Sequence, residues 1–146
     1  MKKLFIIILM VVAVGSSAFA LDVNKVNYKV KNTFDAQFIG AENVTWSERG
    51  TYIKASFTMV DEKVEAFFSE DGEMIAFSQK VELKHLPLNA IQKIKKEHVS
   101  STITECIEFN QNGEKNYYVS LQDGSKKQIL QVSLYGSISV YNSAAK

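Results

Sequence analysis

The stretch VEAFFSEDGEMIAF, Val64 to Phe77, alternates apolar and polar side chains on both sides of an Asp71-Gly72 pair. Alternation with a period of two is the pattern of a half-buried β-strand, and Asp-Gly is a favoured two-residue hairpin turn. The stretch therefore predicts two antiparallel strands, whose facing pairs are Phe68 with Ile75 and Ala66 with Phe77.

Two further turns extend this hairpin towards the N-terminus. Asp61-Glu62 and Arg49-Gly50 divide the preceding sequence into two more strands. The registers that these turns set place one apolar group of side chains on one face of a four-stranded antiparallel meander. This group is Val44, Trp46, Ile53, Ala55, Phe57, Met59, Val64, Ala66, Phe68, Ile75 and Phe77.

An apolar sheet face requires a cover. Upstream of the strands, apolar side chains recur every four residues at Val26, Val30, Phe34 and Phe38, the stripe of an amphipathic helix. Asn24 is placed to cap the start of this helix, and Gly40 to end it. The first unit is therefore predicted to be one helix on four strands.

A second unit repeats this order, with strands offset by 64 residues. Leu86-Pro87-Leu88 opens a helix that contains Ala90, Ile91 and Ile94. Four strands follow, at residues 103–109, 115–122, 126–134 and 137–141, and Tyr141 is expected to face the helix. Their turns fall at Asn112-Gly113, Asp123-Gly124 and Tyr135-Gly136.

The first strand of the second unit has two possible phases. An even loop at Asn112-Gly113 turns Cys106 towards the helix, whereas a bulged loop turns Ile103, Ile107 and Phe109 there. The bulge buries more apolar surface, so it is the preferred prediction.

The sequence thus predicts an α+β fold of two tandem α-β4 repeats, residues 21–82 and 83–146, each an antiparallel meander covered by one helix. Unpaired strand edges at the boundary are compatible with one continuous sheet.

Residues 1–20 read as a secretory signal peptide. Lys2 and Lys3 precede an apolar run, Leu4–Val14, and Ala18-Phe19-Ala20 is a small-x-small cleavage site. The run is shorter than the ~20 residues that span a bilayer, and no later segment could span one. Cleavage is expected after Ala20, which predicts a periplasmic or extracellular protein.

Charge and cysteine content limit which classes of partner and which covalent bonds are expected for this chain. Residues 21–146 carry 15 basic and 16 acidic side chains, and this near-neutrality gives no reason to expect nucleic acid or an anionic membrane as partner. Cys106 is the single cysteine, so it has no internal disulfide partner. We expect it to be a buried apolar residue.

No arrangement of residues typical of catalysis is evident. GSIS at Gly136–Ser139 lacks the second glycine of a nucleophile elbow, and the two histidines, His85 and His98, are too far apart for a zinc motif. The acidic side chains border turns and edges, where charge is readily tolerated. The sequence therefore predicts no catalytic residue, no cofactor and no metal site.

The face turned away from the helices is less polar than a water-facing sheet requires. Trp46, the only tryptophan, is assigned to the core by the register. A candidate partner-binding face is instead formed by the apolar side chains predicted to point outward, which are Tyr52, Phe67, Met74, Tyr118, Ile129, Ile138 and Val140.

Several of these segments resemble the PepSY-like periplasmic proteins, which are also described as beta-lactamase-inhibitor-like. The resemblance covers nearly the whole chain after residue 20. It is carried by Phe34, AENVTW (Ala41–Trp46), YIKASF (Tyr52–Phe57), VEAFFSEDGE (Val64–Glu73), LPLNAI (Leu86–Ile91) and YYVSL (Tyr117–Leu121).

The resemblance implies a tandem helix-plus-four-strand scaffold, similar to inhibitors whose two sheets form a concave surface that grips a partner protein. PepSY domains are associated with restraining peptidases. The matching positions are core and turn residues, so no functional residue is carried over.

The resulting hypothesis is an exported, non-enzymatic module that binds a protein or peptide of the cell envelope through its open sheet face, as an inhibitor or regulator. A small-molecule carrier or sensor, with an apolar ligand between sheet and helix, is the alternative. An enzyme with an unrecognised site is a third class.

Overall fold

The computed structural model describes residues 20–141. The predicted signal peptide lies outside the described residues, except for Ala20. The helices are α1 (Tyr28–Gln37) and α2 (Leu88–Glu97). The strands are β1 (Ala20–Leu21), β2 (Glu42–Arg49), β3 (Tyr52–Met59), β4 (Glu62–Ser69), β5 (Met74–Lys80), β6 (Thr102–Gln111), β7 (Glu114–Asp123), β8 (Lys126–Ser133) and β9 (Ile138–Val140).

All these strands form a single antiparallel sheet of nine strands, in chain order from β1 to β9. Helix α1 covers β2–β5, and α2 covers β6–β9. The α+β fold of two tandem α-β4 repeats is therefore confirmed, and the two meanders are joined into one continuous sheet.

Each helix encloses its own core. Under α1, Phe34 contacts the rings of Trp46 and Phe57, with both centroid distances at 5.0 Å. Under α2, Ala90 and Ile94 pack with the inward side chains Cys106, Tyr117, Val119, Leu121, Leu130 and Val132. The predicted stripes are thus the buried faces of both helices.

Helix α1 begins three residues later than the sequence suggested. Asn27 caps it, with the side-chain oxygen accepting a hydrogen bond from the Lys29 backbone N–H at 3.0 Å. The predicted cap, Asn24, lies instead in a short 3₁₀ turn, Val23–Lys25, that Asp22 caps. Val26 remains in the first core, between turn and helix.

Three hairpins use different turn residues from those predicted; one of them is the β7–β8 hairpin, whose turn is Gly124-Ser125 and not Asp123-Gly124. Val60 and Asp61, both with positive φ, form the turn between β3 and β4, and Gly50-Thr51 forms the turn between β2 and β3. Pairing is therefore shifted by two residues, so that Ala55 lies opposite Ala66 and also opposite Trp46. An even shift leaves every side chain on its predicted face.

The β4–β5 hairpin contains a bulge, which reverses the faces predicted for two side chains of β5. Ala66 pairs with Phe77 as predicted, but Phe68 pairs with Met74. The loop spans four residues, because the Ser69 N–H donates to the Glu73 carbonyl at 2.9 Å. Met74 therefore packs against the first core, and Ile75 turns to the opposite face, the reverse of the prediction.

The β8–β9 hairpin repeats this geometry. The Ser133 N–H donates to the Ser137 carbonyl at 2.9 Å, and Ile138 and Val140 pair with Val132 and Leu130. Ile138 and Val140, predicted to point outward, are therefore on the helix side of the sheet. Tyr141, predicted to face the helix, lies on the opposite side, against Tyr118.

The side chains of β6 point in the directions that an even loop at Asn112-Gly113 gives. The preferred prediction, a bulge at this turn, was wrong. Asn112-Gly113 forms a two-residue turn with positive φ at both positions, which closes on the pair of Gln111 with Glu114. Cys106 therefore points into the second core, whereas Phe109 points away from it. The strand does contain a bulge, but at its other end between Ile103 and Glu105, where it keeps Ile103 in the core.

Pairing between β5 and β6 joins the two repeats. Ala76–Lys80 pairs with Ile107–Gln111. Equivalent core residues of the two repeats are 60 positions apart in the helices and 64 positions apart in the strands after β6. The separation increases because β6 and β7 have ten residues each, whereas β2 and β3 have eight. Two of the extra residues, Asn110 and Gln111, pair with Phe77 and Ala76 of β5.

On the helix side of this junction lies a buried carboxylate. Glu108 is 7% exposed, and it accepts a hydrogen bond at 3.0 Å from both the Lys115 ammonium and the Asn110 amide. Gln79 of β5 approaches the same oxygen at 3.5 Å. The hydrogen bond to Glu108 raises the pKa of Lys115. The polar network therefore connects β5, β6 and β7 between the two cores.

Gly72→Ala is expected to destabilise the fold through a steric clash. A Cβ at Gly72 would lie 2.8 Å from the Lys29 Cβ and 2.9 Å from its carbonyl carbon, so the loop and α1 would have to separate. The matched control is Gly113→Ala, which has a similar φ of +82° and nothing within 4 Å. In urea denaturation, Gly72→Ala should lose at least about 1 kcal/mol more than Gly113→Ala. Equal losses would contradict the docking of this loop on α1.

Trp46→Ala is expected to reduce the free energy of unfolding by about 3–5 kcal/mol, because Trp46 is a buried ring in the first core. Trp46→Phe, which preserves a ring against Phe34, should lose less. Thermal and urea denaturation measure both changes. Wild-type stability in Trp46→Ala would refute the register of β2.

Candidate functional site

The face of the sheet opposite the two helices, here called the reverse face, carries a third apolar cluster. Phe67, Ala76 and Phe109 are buried at its centre. Three partly buried side chains, Tyr52, Ile75 and Tyr118, pack around them. Strands from both repeats contribute, so the cluster exists only because the sheet is continuous.

Five rings of this face form a continuous contact series, here called the aromatic row, which consists of Tyr52, Phe67, Phe109, Tyr118 and Tyr141. Successive centroids are 5.6, 6.2, 6.2 and 5.1 Å apart. All four pairs meet edge to face, with interplanar angles of 67° to 83°. This is the arrangement that aromatic quadrupoles favour.

The aromatic row crosses the strands diagonally. Tyr52 pairs with Ser69, and Phe67 lies two residues before that partner. Phe109 pairs with Asn116, and Tyr118 lies two residues after it. Diagonal neighbours of antiparallel strands are within reach of large side chains. The rings are therefore fixed by strand positions and not by flexible loops.

Four serines lie on the same face as the aromatic row, Ser47, Ser56, Ser78 and Ser120, and Arg49 pairs with Tyr52 at one end of the row. Two charged groups near Tyr52 and Phe67 neutralise each other, because the Lys54 Nζ lies 2.7 Å from Glu65 Oε1. The Ser56 hydroxyl is 3.4 Å from the same carboxylate oxygen. The centre of the face therefore suits an apolar, uncharged contact.

Burial raises the pKa of both half-buried tyrosines of the row. For Tyr52 the loss of hydration dominates, with a smaller opposing effect from Arg49 and a smaller raising effect from Glu65. For Tyr118 burial is again the main cause, and the neighbouring Tyr141 adds to it. Both hydroxyls are therefore neutral hydrogen-bond donors and acceptors at physiological pH.

Four of the seven residues of the predicted binding face lie on the reverse face. Tyr52, Tyr118 and Ile129 are partly exposed there, whereas Phe67 is buried. The other three, Met74, Ile138 and Val140, lie on the helix side, because of the bulge in the β4–β5 hairpin and the four-residue loop of the β8–β9 hairpin.

Sequence reasoning missed four apolar residues of the reverse face, Ile75, Ile107, Phe109 and Tyr141; Ile107, predicted to face the helix, pairs with Tyr118. The signal for Phe109 was present, because the even loop at Asn112-Gly113 turns it outward together with an inward Cys106. Ile75 and Tyr141 depend on four-residue loops that the turn pairs Asp71-Gly72 and Tyr135-Gly136 do not reveal.

The two histidines and the cysteine do not lie together in one site. His85 sits in the short turn before α2, and His98 follows the end of that helix. His98 lines a surface cleft of about 280 Å³ with Glu97, Ser100, Ser101, Leu121, Asp123, Lys126 and Gln128. Burial raises the pKa of the Cys106 thiol, with a smaller effect from Glu105.

Within residues 20–141, no group of three or more His, Cys, Asp or Glu side chains is placed to hold a metal ion. No helix among the same residues is long and apolar enough to cross a membrane.

Comparison with protein-family models and with curated proteins finds no match to the chain. Solved structures do match. A BLIP-like protein from Bacteroides fragilis has a TM-score of 0.70 at 14% identity, over 82% of this chain and 88% of its own. A DUF2874 family protein from Bacteroides uniformis has a TM-score of 0.71 at 14% identity, over 77% and 85%.

A third similar structure is a candidate periplasmic protein from Bacteroides eggerthii, with a TM-score of 0.72 at 14% identity, over 77% of this chain and 84% of its own. At such identities the likeness concerns the fold alone. The chain therefore has a BLIP-like fold, which agrees with the beta-lactamase-inhibitor-like part of the predicted resemblance. The PepSY-like part remains a prediction.

The raised tyrosine pKa values predict a loss of stability in alkali. Tyr52 and Tyr118 release their protons at lower pH in the unfolded chain than in the folded one, so stability falls as pH rises through 10.0, their ordinary value. The variant Tyr52→Phe/Tyr118→Phe should lose less stability than wild type between about pH 9 and 11 in urea denaturation. Tyr28→Phe/Tyr135→Phe, with two exposed rings, is the control. An identical pH slope in wild type and the first variant would contradict the burial of these hydroxyls.

Proposed function

We propose that this chain is an exported, non-enzymatic module that binds a protein or peptide of the cell envelope on its reverse face and thereby restrains an enzyme. The aromatic row carries the proposal. It spans strands of both repeats, and its members Tyr52, Tyr118 and Tyr141 remain partly exposed.

Aromatic side chains are suited to this role because they offer a large contact area for little loss of conformational entropy. Here the entropy is already reduced, since each ring packs edge to face on its neighbour. The tyrosine hydroxyls and the surrounding serines provide hydrogen bonds at the rim of the contact. A rigid apolar centre with a polar rim is the usual anatomy of a protein interface.

The export signal and the structural neighbours support the same proposal. Residues 1–20 carry the features of a secretory leader. Of the neighbours, the Bacteroides fragilis protein is BLIP-like and the Bacteroides eggerthii protein is a candidate periplasmic protein. A shared fold is compatible with inhibition but does not by itself imply it.

The carrier alternative places an apolar ligand between a helix and the sheet. In the first repeat, this space holds the side chains of the core itself. Phe34 is in ring contact with Trp46, Phe57 and Phe68. The reverse face therefore remains the better candidate for a partner.

Affinity capture from a bacterial envelope extract tests the proposal. Wild type is compared with Tyr52→Ala/Tyr118→Ala, which removes two half-exposed rings and keeps the buried Phe67 and Phe109. Quantitative mass spectrometry should show at least one protein whose recovery falls about tenfold or more, the effect expected when an interface anchor is truncated.

The matched control is Tyr28→Ala/Ile39→Ala, which removes two large apolar side chains from exposed positions outside the reverse face. It should capture the same proteins as wild type. Indistinguishable capture by all three forms would refute the reverse face as a binding surface.

A further inference from the structure

The loops that close the two repeats share one backbone conformation but carry opposite chemistry. In residues 70–73 the Ser69 hydroxyl accepts a hydrogen bond from the Glu73 N–H at 3.1 Å, and in residues 134–137 the Ser133 hydroxyl accepts one from the Ser137 N–H at 3.1 Å. The first loop reads Glu-Asp-Gly-Glu, and the second reads Leu-Tyr-Gly-Ser. Because this conformation accepts Glu and Asp, the fold does not require Leu134 and Tyr135.

The second loop lies beside the start of α2. The Asn89 side-chain amide donates to the Tyr135 carbonyl at 3.1 Å, which places the loop beside the first turn of the helix, whose first residue is Leu88. Val99 follows the other end of α2. All four large apolar side chains, Leu88, Val99, Leu134 and Tyr135, are at least 52% exposed.

Between Leu88 and Val99, the exposed side chains of α2 include Lys95 and Lys96, together with Lys93 and the acidic Glu97. The positions of α1 equivalent to Lys95 and Lys96, 60 residues earlier, are Asp35 and Ala36. Each lysine is therefore a feature of the second repeat and not of the scaffold. The exposed surface formed by Leu88, Lys95, Lys96, Val99, Leu134 and Tyr135 is here called the α2 surface.

The same difference extends to the charge of the two repeats. Residues 21–82 carry seven basic and eleven acidic side chains, a net charge of −4. Residues 83–146 carry eight basic and five acidic side chains, a net charge of +3. The net charge of the two repeats together is near zero, and on that basis an anionic membrane was not expected as a partner. This total conceals the separation of negative and positive charge between the two repeats.

We propose that the α2 surface is a contact site for an anionic phospholipid bilayer. Lysines near such a surface are attracted by its negative potential. Leucine and tyrosine are suited to the headgroup region, where an apolar body and a polar tip are both accommodated.

The acidic first repeat is repelled by the same lipids, so the second repeat faces the bilayer. Helix α2 lies on the side of the sheet opposite the reverse face. Membrane contact therefore leaves the aromatic row accessible, and the proposal does not depend on the proposed binding function.

Co-sedimentation with lipid vesicles tests this proposal. The protein is purified after export, with its N-terminus determined by mass spectrometry, and mixed with vesicles of roughly 7:3 phosphatidylcholine and phosphatidylglycerol or of phosphatidylcholine alone. Binding is expected to the anionic vesicles only. It should weaken strongly when the salt concentration rises to about 0.5 M, where surface charges are screened.

Two variants address the two components of the α2 surface. Lys95→Gln/Lys96→Gln should weaken binding to anionic vesicles at least about tenfold. Leu134→Glu/Tyr135→Asp, which introduces the residues of the equivalent first loop, should also abolish detectable binding. Circular dichroism melting checks the fold, and the lysine variant preserves the test if the loop variant does not fold.

Two controls complete the test. Lys25→Gln/Lys29→Gln removes two exposed lysines of the first repeat, and Tyr52→Ala/Tyr118→Ala alters the reverse face; both should bind vesicles as wild type does. The proposal is refuted by an absence of binding to anionic vesicles, by equal binding to both lipid compositions, or by a lysine variant that binds like wild type.

Discussion

Backbone pairing between β5 and β6 is the constraint on which the remaining structure depends. Without it, the chain would form two separate sheets, β1–β5 and β6–β9, each with its own core and an additional exposed edge. With it, Phe67 of the first repeat and Phe109 of the second lie 6.2 Å apart, and the reverse face is one surface. The greater length of β6 relative to β2 extends this pairing, since Asn110 and Gln111, two of the five β6 residues paired with β5, belong to the added length.

The junction between β5 and β6 is stabilised by different contacts on the two faces of the sheet. On the reverse face it is closed by ring contacts between apolar side chains. On the helix side it is closed by Glu108, which is hydrogen-bonded to Asn110 and Lys115. The Lys115 side chain is 36% exposed, so this ion pair contributes little net stability. Among the partners of Glu108 only Gln79 belongs to β5, so a shifted register of β5 and β6 would remove that contact and leave Asn110 and Lys115 in place.

The two repeats preserve a common scaffold and differ on their outer surfaces. Equivalent positions in the cores remain apolar, as in Val30 and Ala90 or Phe34 and Ile94. Equivalent surface positions have changed from acidic to basic or apolar, as in Asp35 and Lys95. Because the reverse face and the α2 surface lie on opposite sides of the sheet, one chain could present a partner to solvent while resting on a membrane. The two proposed sites would then act together without competing.

The sequence by itself determined that both helices and the eight strands β2–β9 form, and which face most of their side chains occupy. The predicted sheet face of most side chains was correct despite errors in strand pairing, because a register shift of two residues preserves the alternation of side chains. That is why Trp46, Phe57, Tyr52 and Tyr118 were placed correctly although the turn residues were not.

Only the tertiary structure decided where that alternation is interrupted. The side chains of Met74, Ile75, Ile138 and Tyr141 changed face because two loops have four residues, and the contacts that stabilise the first loop come partly from α1. Thr33 of α1 donates to the Gly72 carbonyl at 2.7 Å, a contact between residues 39 positions apart in the chain. The aromatic row could not be read from the sequence for the same reason. Local patterns give the direction of each side chain, whereas the distance between rings on different strands depends on how the whole sheet is assembled.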